Sequence, residues 1–310
     1  MVPSMFLQEI DQNTVAKIEN VFDATTSTNY LEKLVEPSNT PRHSTDRAFF
    51  ERLVANFRLS STALNTYLRN PQEFIENSLL KVPRAKAGPM AFGTAMHKTL
   101  EHFIQMKVTH ELPTFEKLAH IFDVALQEEI LTDDVYAERL AYGYEVIKNY
   151  LAAYHNEVPD VLYVERQFGF GFGKTVLDDI PLSGRLDRID WIDKEKKTVR
   201  VVDYKTGRVK TKNEIEGKTA SAQLSERELA LPESIRGPYK RQLLFYKLLT
   251  ELDRSFIPVV EEGMFDFVEA DKQSGKLVRH VFTLHDADVQ DLKNLIREVM
   301  KEIRELKFLD

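Results

Sequence analysis

Two acids and a lysine are the residues of this chain whose types and spacing best suit chemistry. Asp187 sits in Gly184-Arg185-Leu186-Asp187-Arg188-Ile189-Asp190. Asp203 and Lys205 sit in Val201-Val202-Asp203-Tyr204-Lys205-Thr206-Gly207. Both runs read as strands, and residues two apart on a strand project from the same face, so Asp203 and Lys205 share one. Paired carboxylates hold hard divalent cations. A cation held there polarises a phosphoryl oxygen and lowers the pKa of bound water. A neighbouring ammonium orients that water or stabilises the charge that develops on phosphate. The pattern therefore predicts metal-assisted hydrolysis of a phosphodiester. Cross-strand ion pairs on a surface hairpin would use the same residue types, so the weight falls on the elements around the pair.

The spacing of apolar residues predicts helices over 48–57, 60–80, 114–130 and 134–155, and a loop from residue 87 leading into a helix that ends near 106. Ser60 is a natural N-cap for the second helix. Strands are expected over 161–170, 173–177, 180–192 and 198–204, with Asp178-Asp179 as a hairpin turn. A long loop over 206–236, a helix over 239–252, strands over 257–270 and 276–284, and a helix over 286–306 complete the order. This predicts a mixed α/β core behind a helical front. Residues 1–45 carry a short amphipathic pattern and then polar stretches, and read as an arm or linker. Their abrupt start suggests the end of a longer polypeptide. The domain proper is expected over 46–310, with the helical front at 46–158 and the sheet-containing core at 159–310.

Composition narrows the chemistry. With 43% hydrophobic and 29% charged residues over 310 positions, the chain reads as a soluble globular protein. No window reaches the roughly 18 apolar residues of a bilayer span, and the first residues do not resemble a secretory signal, so a cytoplasmic location without membrane contact is expected. The absence of cysteine excludes disulfides, thiolate zinc sites and a Cys-held iron–sulfur cluster. Oxygen and imidazole ligands remain, which favour Mg²⁺ or Mn²⁺. The net charge of −7 argues mildly against nucleic acid as a partner, but cations cluster locally. Lys81, Arg84 and Lys86 form one group, and Lys240 with Arg241 another; both read as solvated surface charge. Arg208, Lys210 and Lys212 follow directly on Lys205 and could guide a strand into the site. There is no G-x-x-x-x-G-K-[ST] phosphate loop, so the chain does not read as a helicase motor.

These residues resemble the PD-(D/E)XK nuclease superfamily, and within it the RecB-like branch. Gly184 to Asp190 is similar to the branch's first acidic motif, and Val201 to Gly207 to its D-x-K motif. Phe92-Gly93-Thr94-Ala95-Met96-His97 resembles the upstream helix that brings a histidine ligand. Arg241-Gln242-Leu243-Leu244-Phe245-Tyr246 resembles its Q-x-x-x-Y helix. Leu59 to Phe74, with Asn70-Pro71, is similar to the leading motif. The resemblance runs from about residue 59 to 250 and implies a restriction-endonuclease-like mixed β-sheet flanked by helices, with an added N-terminal helical region. It implies a metal-dependent DNA nuclease, an exonuclease by expectation. The substrate would be single-stranded or end-containing DNA in repair or recombination, with a UvrD-like helicase in cis or in trans. His97, Asp187, Asp203 and the Tyr204 carbonyl would hold Mg²⁺ or Mn²⁺, and Lys205 would position the water. Gln242 and Tyr246, one turn apart on a helix face, would orient Lys205 and the DNA backbone. Glu165 would lie at the rim, in an outer metal shell or paired with Lys205. Arg188 would point away from Asp187 on a regular strand. Relatives with an iron–sulfur cluster carry cysteines that this chain lacks, so the resemblance is to the cluster-free form. Two alternatives stay open: a nuclease fold without catalysis that binds or scaffolds DNA, and a nuclease of the same fold acting on RNA.

Overall fold

The computed structural model describes residues 42–83, 85–170 and 174–309. Most of the expected arm therefore lies outside the described residues. The chain divides into a unit ending at Phe49 and a unit from Phe50 to Asp310. In the first, the described residues 42–49 lie in helix α1, Arg42–Ala55.

The helices after α1 show why the sequence breaks where it does. Helix α2, Ser61–Arg69, opens on Ser60, whose side chain accepts from the Ala63 N–H at 3.2 Å. A single helix over 60–80 was expected, but α2 stops at Asn70. A residue before proline is pushed out of the α region, and Asn70 is extended at φ −156°, ψ 103°. Its side chain then caps a short helix α3, Pro71–Phe74, followed by a π turn over Ile75–Leu79. Helix α4, Gly88–Val108, begins at the Gly-Pro pair that was expected to be loop, because proline suits the first helical turn, where its missing N–H has no bond to make. Helices α5, Phe115–Gln127, and α6, Asp133–Tyr154, complete the helical front.

The sheet holds β1 (Val161–Phe168), β4 (Gly184–Asp193), β5 (Thr198–Lys205), β6 (Val259–Phe267) and β7 (Val278–Thr283), side by side in the order β1-β4-β5-β6-β7. A separate hairpin, β2 (Val176–Leu177) and β3 (Ile180–Pro181), turns at Asp178-Asp179 as expected. The expected strand over 180–192 is thus split between β3 and β4. Within the five-stranded sheet β5 and β6 are the parallel pair; parallel neighbours need a long crossover. That crossover was expected to be mostly loop before its helix. It contains α7, Lys212–Ile215, and α8, Glu226–Leu229, each opened by a capping box (Thr211 with Glu214, Ser225 with Glu228). Helix α9, Pro238–Leu252, returns the chain to the sheet, and α10, Asp286–Arg304, follows β7.

Both faces of the sheet are covered. Val202, Tyr204 and Met264 pack with Phe92 and Leu100 of α4, Phe122 of α5 and Val146 of α6. Val199, Val201 and Phe265 pack with Leu64 of α2, Leu244 and Leu248 of α9, and Ile296 of α10. Burial on both faces explains why β5 is apolar at Val199, Val201 and Val202 alike, with Arg200 paired to Glu262 between them. No described helix is long and apolar enough to cross a membrane.

Candidate active site

The site forms where β4 and β5 part. Their ladder ends at Arg188 opposite Val202. Beyond it the Tyr204 N–H donates to Asp187 Oδ2 at 2.9 Å, so a carboxylate takes the backbone donor. Alternation along β5 sends Val202 and Tyr204 toward α4 and leaves Asp203 and Lys205 for the α9 side, as the two-residue spacing predicts. There Lys205 Nζ lies 2.6 Å from Asp203 Oδ2 and donates to Gln242 Oε1 at 2.8 Å. Gln242 Nε2 and the Tyr246 hydroxyl both donate to Asp203 Oδ1, each at 2.9 Å. The i, i+4 pair of α9 therefore grips both members of the D-x-K pair. The Lys205 ammonium also lies over Tyr239, 4.7 Å from the ring centre.

His97 arrives from α4. Gly93 makes that approach close: a Cβ there would meet Thr206 Oγ1 at 3.1 Å, and Ala95 beside it is fully buried. His97 Nδ1 is 3.4 Å from Asp187 Oδ2. One ligand atom each from His97, Glu165 and Asp187 lie within 4.8 Å of one another. Glu165 sits at a left-handed kink in β1, φ 51°, and pairs with Arg185 Nε at 2.8 Å rather than with Lys205. Arg185, two residues before Asp187 on β4, is a site residue that the sequence analysis did not single out.

The donor set fits a hard divalent cation. It is carboxylate and imidazole throughout. Asp203 Oδ2 and Glu165 Oε2 are buried and receive no well-aligned hydrogen bond, although Lys205 and Arg185 lie beside them. Burial raises the Asp203 carboxyl above its ordinary range, with Lys205 opposing and the Asp187 charge adding to the rise. Burial, then the Asp187 charge, pushes Glu165 up to about 7. Acids raised by burial and by each other are what a cation would neutralise. Burial also opposes charge on Asp187 and His97, but their mutual hydrogen bond and attraction win, lowering the acid and raising the imidazole. Lys205 loses solvation too, yet Asp203 holds it charged and its pKa rises.

The remaining expected residues fall into two groups. Tyr204 gives its N–H to Asp187, and its ring stands edge-on to His97 with 6.2 Å between ring centres. Its side chain lies on the α4 face, away from Lys205, where Arg188 bonds Asp190 at 2.9 Å and the Tyr204 hydroxyl at 2.5 Å. Arg188 thus points away from the site, as expected. The basic run after Lys205 is largely engaged. Arg208 bonds Glu214 at 2.7 Å, Lys210 lies 5.0 Å over Tyr239, and Lys212 reaches the Val281 carbonyl at 3.3 Å. Lys86 pairs with Glu129, Lys81 is exposed, and Arg84 lies outside the described residues. Arg241, expected on the surface, is 1% exposed and bonds Asn65 Oδ1 at 2.8 Å, with Glu228 on its other arm.

An open cleft of about 520 Å³ exposes Asp187, Asp203, Lys205, Gln242 and Tyr246. It is also lined by Ser60, Ser61 and Thr62 at the start of α2, which the sequence reading did not assign to the site. A larger cleft of about 690 Å³ adjoins it at His97, Arg185 and Thr206.

A family model described as the PD-(D/E)XK nuclease superfamily matches residues 58–309. Comparison with curated proteins returns no match. Among solved structures, one titled "Crystal structure of SSO0001" is similar over 83% of this chain and 85% of that chain, at 12% identity and a TM-score of 0.33.

Proposed function

The chain belongs to the PD-(D/E)XK nuclease superfamily, and from that premise we propose that it is a metal-dependent DNA nuclease of the RecB-like branch. It hydrolyses phosphodiester bonds of single-stranded or end-containing DNA. The observation that carries this reading is the convergence of Asp187 and Asp203, both buried, and a half-buried Lys205 on one open cleft with His97. A scaffold that had lost catalysis would have no reason to keep a desolvated acid pair and lysine together.

His97, Glu165 and Asp187, whose ligand atoms lie within 4.8 Å of one another, would hold Mg²⁺ or Mn²⁺, with Asp203 beside them. The bound cation supplies a polarised phosphoryl oxygen and a more acidic water. Lys205, fixed by Asp203 and Gln242, holds the attacking water and stabilises negative charge on the phosphate. Gln242 and Tyr246 keep Asp203 and Lys205 from rotating. Catalysis here is mostly positioning, which suits a site whose side chains are each held by another.

The order of the five motifs and the absence of cysteine support the cluster-free RecB-like form, acting in the cytoplasm in repair or recombination beside a UvrD-like helicase. Incubating the chain with labelled single-stranded DNA, duplex DNA, circular DNA and RNA, with Mg²⁺ or Mn²⁺, tests the reading. Cleavage of linear single strands is expected, with circles spared in an exonuclease mode. Folded protein that cut none of these with either metal would refute it, and cleavage of RNA alone would move it to the RNA alternative.

A further inference from the structure

We propose that a single strand of DNA reaches the site along the start of α2, with Arg58 and Lys81 on its phosphates and Phe170 against a base. This rests on the nuclease reading for its scissile phosphate, but not for its binding. A cleft of about 420 Å³ shares Ser60 and Thr62 with the catalytic cleft, so the two adjoin at the start of α2. Its rim carries Arg58, Lys81, Asn56, Asn77 and Phe170.

Charge selects this branch. The chain is acidic at −7, yet no carboxylate lines this cleft among the described residues. The larger cleft at His97 sets Lys98, Arg139 and Arg185 against Glu101, Glu128, Glu165 and Glu269. A polyanion is repelled by the second and drawn into the first. The cations that follow Lys205 are engaged by Glu214, Tyr239 and the Val281 carbonyl, whereas Lys81 is exposed and has no partner among the described residues.

The floor offers donors. Ser60 Oγ takes the Ala63 N–H, which leaves the Ser61 and Thr62 N–H groups without a partner among the described residues at the start of a helix. Ser61 is 9% exposed, lines the catalytic cleft, and its hydroxyl is likewise unpartnered among the described residues. This edge is held in place. Leu59 pairs with Leu182, its N–H on the Pro181 carbonyl and its carbonyl on the Ser183 N–H, both at 3.0 Å. Above it the Phe170 ring is 59% exposed, with the Arg58 guanidinium 5.6 Å from its centre. Arg58 is anchored by one bond to the Gly169 carbonyl at 2.7 Å, which leaves other donors of its fork free for phosphate. A solvent-facing ring beside a guanidinium is a platform for stacking a base.

The test is anisotropy of fluorescein-labelled oligothymidylate with the full chain in EDTA, where nothing is cut, repeated across salt concentrations. Lys81→Gln should lower the slope of log affinity against log salt by about 0.7, and Arg58→Gln with Lys81→Gln by about 1.4, as expected for one and two lost phosphate contacts on a single strand. Phe170→Ala should weaken binding about fivefold or more and leave the slope unchanged. Thermal melts of the variants matching wild type exclude misfolding, and Lys81, exposed and unpaired, keeps the test valid if Arg58→Gln unfolds. The proposal is overturned if these variants bind as wild type, if Lys98→Ala with Arg139→Ala removes binding instead, or if oligouridylate RNA binds and oligothymidylate does not. Loss of binding in a chain that never cuts DNA would sink the nuclease reading and leave this track standing. Normal binding by the variants of an active nuclease would do the reverse.

Discussion

At the scale of single residues, the site is organised around Asp203, which takes three polar side chains. Lys205 lies on one oxygen, and Gln242 with Tyr246 donate to the other. Of these three, Lys205 is the one that carries a positive charge, so Lys205→Met removes stabilisation that operates mainly in the transition state. It should lower kcat by about 100-fold or more with little change in KM. Tyr246→Phe leaves Asp203 its Gln242 donor and should cost less, about fivefold in kcat, the loss of one net hydrogen bond of roughly 1 kcal/mol. Steady-state cleavage of a labelled single strand separates the two; equal losses would mean that Tyr246 touches the reacting phosphate. These residues were legible in sequence because metal hydrolysis restricts side-chain types and the strand period fixes which of them share a face. Arg185, the partner of Glu165, was not, because the left-handed kink at Glu165 that brings them together has no signature in the letters.

At the scale of elements, two contacts decide how the layers meet. Gly143 of α6 lets that helix lie on α5: a Cβ there would overlap the Phe122 ring, which is fully buried. Gly143→Ala therefore forces repacking and should destabilise the protein by about 1–3 kcal/mol in urea unfolding, despite alanine's better helix propensity. Arg241 ties α9 to α2 and α8 through Asn65 and Glu228. Arg241→Met would leave Glu228, 3% exposed, as an unpaired buried charge and should cost about 3–5 kcal/mol in the same experiment. A restored stability in Arg241→Met with Glu228→Leu would show that the penalty is the orphaned acid. The sequence held a signal for this burial: Leu244, Phe245 and Leu248 follow Arg241 at helical spacing on the buried face, but an adjacent lysine made the pair look like surface charge. The helices α7 and α8 were missed for another reason. Each is too short to show periodicity, and only the Thr211/Glu214 and Ser225/Glu228 capping pairs marked them. The sheet strands and long helices were readable because burial on one or two faces imprints a period; the break at Asn70-Pro71 overrode that period locally.

At the scale of the whole molecule, the site sets stability against function. Glu165, pushed up to about 7 by burial and by Asp187, binds its proton more tightly folded than unfolded. Between the ordinary glutamate range and about pH 7 the native state therefore holds more protons, and stability falls as pH rises through that window. In EDTA, Glu165→Gln should raise Tm at pH 8 more than at pH 4, where the wild-type carboxyl is already protonated. A cation acts on the same conflict from the other side. His97, Glu165, Asp187 and Asp203 are scattered over a hundred residues of sequence, so the unfolded chain does not gather them, and a metal that binds them favours the native state by about 2.7 kcal/mol at one hundred times its Kd. For a chain of this length that is a rise in Tm of roughly 4 °C with Mn²⁺. Asp187→Asn should abolish the rise, and Glu165→Gln should shrink it while keeping its own metal-free gain. Scanning calorimetry of the three proteins with EDTA and with Mn²⁺ checks both signs at once. A wild-type Tm unmoved by Mn²⁺ would mean that these four side chains do not form the metal site.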